Sequence, residues 1–139
     1  MPDSNPKTVL MADDDEEDCL LACDAFAESG VKIAFSSVAD GTELMDYLSE
    51  HFRSAAKRLP DLILLDMNMP RKDGRQALVE IKSEPAFQHI PIVILTSSED
   101  QADVDFTMKA GAESFFTKPA TFDEWVEIMR SLAKNWILR

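Results

Sequence analysis

Five polar residues stand where short apolar runs stop: Asp13 and Asp14 after Thr8 to Ala12, Asp66 after Leu62 to Leu65, Thr96 after Pro91 to Leu95, and Lys118 after Ser114 to Thr117. Adjacent carboxylates at a strand's end repel unless a cation lies between them. Three in one crevice carry about three negative charges at neutral pH. Lys118 can offset one of these and a divalent cation the rest. The donors are hard oxygens and few in number, which suits Mg²⁺, with Mn²⁺ as the substitute. A carboxylate beside such an ion, with a lysine and a hydroxyl nearby, is equipped to attack a phosphoryl group, because the metal and the ammonium stabilise charge on the equatorial oxygens. The product would be an aspartyl phosphate on Asp66.

The elements that must position these residues can be read from periodicity. Leu62-Ile63-Leu64-Leu65 is an uninterrupted apolar run, and so is Pro91 to Leu95. Both read as strands buried on both faces of a parallel sheet. Val31 to Val38 alternates loosely as a further strand, and Thr8 to Ala12 and Ser114 to Thr117 complete five. Helices are expected from about Asp15 to Ser29, from after Gly41 to about Ala55, around Ala77, Leu78 and Ile81 until Pro85, from about Glu99 to Ala110, and from about Thr121 onward. The last shows Phe122, Trp125, Val126, Met129, Leu132, Ala133 and Trp136 at spacings of three and four. Strands alternating with helices predict an α/β fold: a doubly wound, five-stranded parallel sheet in the order 2-1-3-4-5, flavodoxin-like, with the crevice beside the first and third strands. The acidic run Asp13 to Asp18 is only partly explained by a helix N-terminus, which accounts for Asp15 to Asp18 but poorly for Asp13 and Asp14.

At 139 residues the chain is expected to be a single domain, 1–139, with a core over about 7–136 and no second domain. It carries 26 acidic and 14 basic side chains, a formal charge of −12, which argues against direct nucleic acid binding. Cations or a partner with a basic surface fit better. No apolar segment has signal-peptide or membrane-spanning length, so cytoplasmic residence is expected, without a membrane role. The start, Met1 to Lys7, is polar and reads as frayed. Cys19 and Cys23 read as reduced thiols, since no second Cys or His pair accompanies them.

Taken together, the Asp13-Asp14 pair, Leu65-Asp66-Met67-Asn68-Met69-Pro70 with Asp73-Gly74, Leu95-Thr96-Ser97, the Lys109-Ala110-Gly111-Ala112 turn and Lys118-Pro119 resemble the CheY-like receiver domain of two-component response regulators. The resemblance runs from about Val9 to Trp136. It implies that Asp66 takes phosphate from a histidine kinase or a phosphotransfer protein. It further implies that Asp14 ligates Mg²⁺ directly, Asp13 through water, and Asn68 through its backbone carbonyl. Thr96 and Lys118 would contact the phosphoryl oxygens, with Ser97 and Ser98 as phosphate support, and the Lys118-Pro119 bond would be cis. Thr96 swinging inward would vacate space for Phe115, the switch aromatic. With neither Ser98 nor Asn68 acidic, slow loss of phosphate is expected. Arg71 to Gly74, the His89 loop and Trp136 are similar to small stand-alone receivers that partner phytochrome-like sensor kinases.

Three other readings are weaker. A haloacid dehalogenase-type hydrolase wants an acid two residues after its nucleophile, where this chain has Asn68. A flavodoxin-like carrier needs a phosphate loop where this chain has six acids. A receiver used only as a binding surface, never phosphorylated, would not need the complete phosphorylation set. The chain ends three residues after Trp136, so output is expected to come from binding, to a kinase, a relay partner or a second copy. The expected face is the last strand and last two helices, with Val104, Phe106, Phe115, Ile128 and Trp136 contributing.

Overall fold

The structure is a computed structural model and describes residues 6–138. The frayed start expected from the sequence falls mainly on residues 1–5, outside the described residues. The elements run β1 (Lys7–Ala12), α1 (Glu16–Glu28), β2 (Ile33–Val38), α2 (Gly41–Arg53), β3 (Leu62–Leu65), α3 (Gly74–Ser83), β4 (Ile92–Thr96), α4 (Gln101–Lys109), β5 (Ser114–Thr117) and α5 (Phe122–Leu132), then a π-helical turn, Ala133–Ile137. All strand pairs are parallel, in the order β2-β1-β3-β4-β5.

Alternation along the strands divides the interior into two layers. Val9, Met11, Leu62, Leu64, Val93 and Leu95 face α1 and α5, whereas Leu10, Ala12, Ile63, Leu65, Ile92 and Ile94 face α2 and α3. Each Val, Leu, Ile or Met among them, fully buried, contributes about 1.5–3 kcal/mol. Both layers are needed to hide a strand such as β3, in which every residue is apolar and buried.

Each of the five α-helices begins on a side-chain cap, four of them aspartates: Asp15, Asp40, Asp73, Asp100 and Thr121. Part of the acidic excess therefore goes to satisfying free helix amides. The C-terminal stripe differs from the expectation in two places. Phe122 is 39% exposed, because it occupies the first helical position after the Thr121 cap, ahead of the apolar face. The wider π turn then shifts the helical phase, so that Ile137 is buried and Trp136 packs only partly against the α1–α5 layer. The loop after α3 is anchored to the core, with Phe87 and Ile90 buried and Phe87 edge-on to Phe52.

Candidate functional site

The backbone hydrogen bonds that finish the strands also lay out the site. Asp13 N donates to Val38 O at 3.0 Å, Asp66 N to Ala12 O at 3.0 Å and Lys118 N to Thr96 O at 2.8 Å. Strands β1, β3, β4 and β5 therefore present Asp13, Asp66, Thr96 and Lys118 at one sheet edge, the edge where open α/β sheets place their ligands. Carboxylate oxygens of Asp13, Asp14 and Asp66 lie within 4.8 Å of one another. Asp13 and Asp66 are buried and Asp14 is exposed. An open groove of about 490 Å³ between α1 and β2 leads to Asp13 and Asp14 and is also lined by Cys19, Leu20, Phe35 and Val38.

Lys118 enters this cluster from β5. Its Nζ stands 2.8 Å from Asp13 Oδ2, 2.7 Å from Asp18 Oδ2 and 3.7 Å from Asp66 Oδ2. Burial alone would favour the neutral amine, but Asp13, Asp18 and Asp66 more than offset it and hold the ammonium above the usual lysine range. The Asp13 carboxyl is pushed up to about 6, chiefly by burial and further by the charge of Asp66, against the lowering effect of the Lys118 ammonium and the Asp15 amide. Burial and the charge of Asp13 push the Cys19 thiol up to about 11, so this free cysteine stays protonated and unreactive at neutral pH.

Asp66 Oδ1 and Thr96 Oγ1 are buried and have no hydrogen-bond partner among the described residues. Such orphaned oxygens cost free energy unless something binds them. Beside a triad of hard oxygen donors, they fit a divalent cation and an incoming oxyanion group. Asn68 is exposed between the buried Met67 and Met69. Ser97 is exposed as well. The Ser98 hydroxyl is engaged elsewhere, donating to Asp103 Oδ2 at 2.6 Å. Phe115 is half-buried against the α2–α3 layer. The Lys118-Pro119 bond is trans, contrary to expectation, since no described peptide bond is cis. The lysine reaches Asp13 without the cis form.

Three contacts were not anticipated from the sequence. Asp18 had been accounted for by the helix end, yet it pairs with Lys118. A signal was present, because Asp18 stands four and seven residues before Ala22 and Ala25, both buried, on the face of α1 that meets the sheet. Arg75 on α3 pairs with Asp103 on α4, the aspartate that also receives Ser98. Asp40 takes hydrogen bonds from Glu43 N at 2.9 Å and Arg71 Nε at 2.8 Å. Arg71 follows the Asp66 strand and adopts φ 61°, a left-handed conformation uncommon outside glycine. With Gly41 N donating to Lys72 O at 2.9 Å, this pair latches the loop between β3 and α3 onto the start of α2.

Asp40→Ala is expected to destabilise the domain by about 2 kcal/mol in urea unfolding at pH 7, since it removes a cap and leaves Arg71 only its longer contact to Glu43 Oε2 at 3.6 Å. The Glu43 amide and the Arg71 guanidinium hold the Asp40 carboxyl below the usual carboxylate range. Its contribution is therefore full above the unfolded-state value of about 4 and is lost as pH falls through the lower folded value. The gap between the two proteins should close in that acid window.

The chain belongs to the response regulator receiver domain family, whose profile matches residues 9–130. Among characterised relatives it is 30% identical to response regulator Rcp1 of Synechocystis sp. over 132 residues, covering 95% of this chain and 90% of Rcp1. Among solved structures it is similar to the phosphorylated cyanobacterial phytochrome response regulator RcpA, with a TM-score of 0.86 and 34% identity, over 96% of this chain and 95% of that one. It is also similar to the Mn²⁺-bound form of Rcp1, with a TM-score of 0.84 and 29% identity, over 96% of each chain. Among the described residues, no helix is long and apolar enough to cross a membrane.

Proposed function

We propose that the chain is a phosphoacceptor of two-component signalling, taking a phosphoryl group on Asp66 from a sensor histidine kinase or a phosphotransfer protein in a Mg²⁺-dependent reaction. The observation that carries this reading is the buried Asp66 carboxylate, grouped with the Asp13 and Asp14 oxygens: its Oδ1 has no partner among the described residues, and its Oδ2 stands 3.7 Å from Lys118 Nζ. A carboxylate oxygen of Asp66 would attack phosphorus, forming an O–P bond as the N–P bond of a phosphohistidine breaks, and the departing imidazole would take up a proton. A divalent ion held by Asp13, Asp14 and the Asp66 carboxylate, with the Asn68 carbonyl, would supply charge stabilisation on the phosphoryl oxygens. Lys118 neutralises a further oxygen, and Thr96 offers its free hydroxyl to another. Desolvation around Asp66 and Thr96 strengthens each of these interactions.

Signalling would follow from that hydroxyl. Thr96 is fully buried with Oγ1 unsatisfied, so a phosphoryl oxygen gives it a partner it lacks and draws it inward, opening space for Phe115. Ser97, exposed beside it, can add support, while Ser98 would first have to leave Asp103. The change would be read on β5, α4 and α5, where Phe106 and Met108 are already exposed, by a relay partner or a second copy of the chain. The relatives described as phytochrome response regulators support a sensor kinase of that type as the donor.

The test is incubation with phosphoramidate and Mg²⁺, followed by borohydride reduction and peptide mass mapping. Modification should fall on Asp66 and disappear when the metal is chelated. No incorporation, or incorporation at another residue, would overturn the reading.

A further inference from the structure

A fourth carboxylate reaches the site from a position that the three-oxygen cluster does not need. Asp18 lies in the first turn of α1, outside the Asp13, Asp14 and Asp66 group. It is not needed as the helix cap, because Asp15 Oδ1 already accepts from Glu17 N at 3.0 Å and Asp18 N at 3.2 Å. Its Oδ2 instead stands 2.7 Å from Lys118 Nζ, nearer than Asp66 Oδ2 at 3.7 Å. Both side chains are shielded, at 19% and 11% exposure, which places the pair between a surface ion pair and a buried one.

We propose that Asp18 is a positioning residue that holds the Lys118 ammonium back from Asp66, so that it slows uptake of phosphate; this rests on the reading of Asp66 as the phosphoacceptor. The lysine has two close anchors on the α1 side, Asp13 and Asp18. A cation held by Asp13, Asp14 and Asp66 would compete with Lys118 for Asp13, and Asp18 lies outside that set, so its contact would remain as the restraint. For Lys118 to contact a phosphoryl group on Asp66, its ammonium must give up part of the Asp18 contact. Asp18 also adds a negative charge beside Lys118, in a site that an anionic donor must approach. Both effects oppose phosphorylation.

The experiment compares the intact chain with Asp18→Asn and Asp18→Glu, measuring the rate of phosphorylation by phosphoramidate at saturating Mg²⁺. It also follows the ¹⁵N resonance of the Lys118 ammonium in metal-free, unphosphorylated protein. Asp18→Asn should phosphorylate roughly three- to tenfold faster, the range set by a partly shielded ion pair. Asp18→Glu, which keeps the charge, should stay close to the intact chain. The lysine resonance should move in Asp18→Asn and hold in Asp18→Glu, a change that loss of helix stability alone would not produce. An unchanged or slower rate in Asp18→Asn, or an unmoved resonance, overturns the proposal. An intact chain that takes up no phosphate overturns it together with the phosphoacceptor reading, whereas normal uptake without acceleration in Asp18→Asn overturns the proposal alone.

Discussion

Gly74→Ala is expected to destabilise the domain by about 3 kcal/mol or more and to slow phosphorylation of Asp66 at least about tenfold. Gly74 is the first residue of α3, and its amide donates to Met67 O at 3.0 Å. A methyl group there would overlap the carbonyl oxygen of Asp66 and come within 2.8 Å of Met67 Cα. These are backbone atoms at the end of a fully buried strand, so no flexible side chain can yield. Either α3 moves off the sheet or the Asp66 backbone shifts, and a shift of an ångström is enough to spoil in-line attack. Gly30→Ala is the matching control. Gly30 has φ +84° with nothing within 4 Å of an added Cβ, so only the left-handed conformation is penalised, at about 1–2 kcal/mol, with no effect on phosphorylation. Chemical denaturation and phosphoramidate kinetics on both variants check the contrast. Equal losses in the two would show that steric overlap on the Asp66 backbone is not what Gly74 avoids.

The layout of the sheet was legible because it depends on local pattern. Buried runs such as Leu62 to Leu65 and Ile92 to Leu95 declare central strands, and right-handed crossovers narrow five of them to a few orders, among them the flavodoxin-like 2-1-3-4-5 that the sheet has. Once the order is fixed, residues immediately after a strand must share an edge, which is why Asp13, Asp66, Thr96 and Lys118 could be grouped before any geometry was known. Contacts that depend on how long side chains bend across helices were not legible. The Arg71 to Asp40 and Arg75 to Asp103 pairs join residues 31 and 28 apart in sequence, and nothing in the local pattern selects those partners from the many acids available. Asp18 was hidden for a different reason: an acid in a first helical turn already has an adequate explanation in the helix dipole, and nothing in the local pattern singles out Lys118 as its partner. The π turn was hidden because its wider spacing still keeps apolar residues in rough register.

Asp13→Asn should stabilise the metal-free protein by about 1–2 kcal/mol at pH 7–8, even though it damages the site. Burial lifts the folded carboxyl from 3.8 to about 6, with the charge of Asp66 adding to it and the Lys118 ammonium and the Asp15 amide opposing it. The folded state therefore binds more protons than the unfolded chain between those two values, and stability falls as pH rises through that window. Above about pH 6 the ionised Asp13 carries the whole penalty, at most about 3 kcal/mol at 1.36 kcal/mol per unit. Asparagine carries no such penalty and keeps an amide oxygen for the Asp15 amide. It does deprive Lys118 of one partner, but Asp18 and Asp66 remain, so only part of the gain is given back. Urea unfolding in chelator should show the variant ahead at pH 7.5 and level with the wild type near pH 4. Millimolar Mg²⁺ should raise the wild type by ligand linkage and leave the variant almost unmoved, narrowing or reversing the order. A variant less stable than the wild type in chelator at pH 7.5 would mean that pairing with Lys118 outweighs burial at Asp13. The expected order instead describes a cluster whose carboxylates strain the fold until a cation joins them, so that metal binding and folding stability are linked through Asp13.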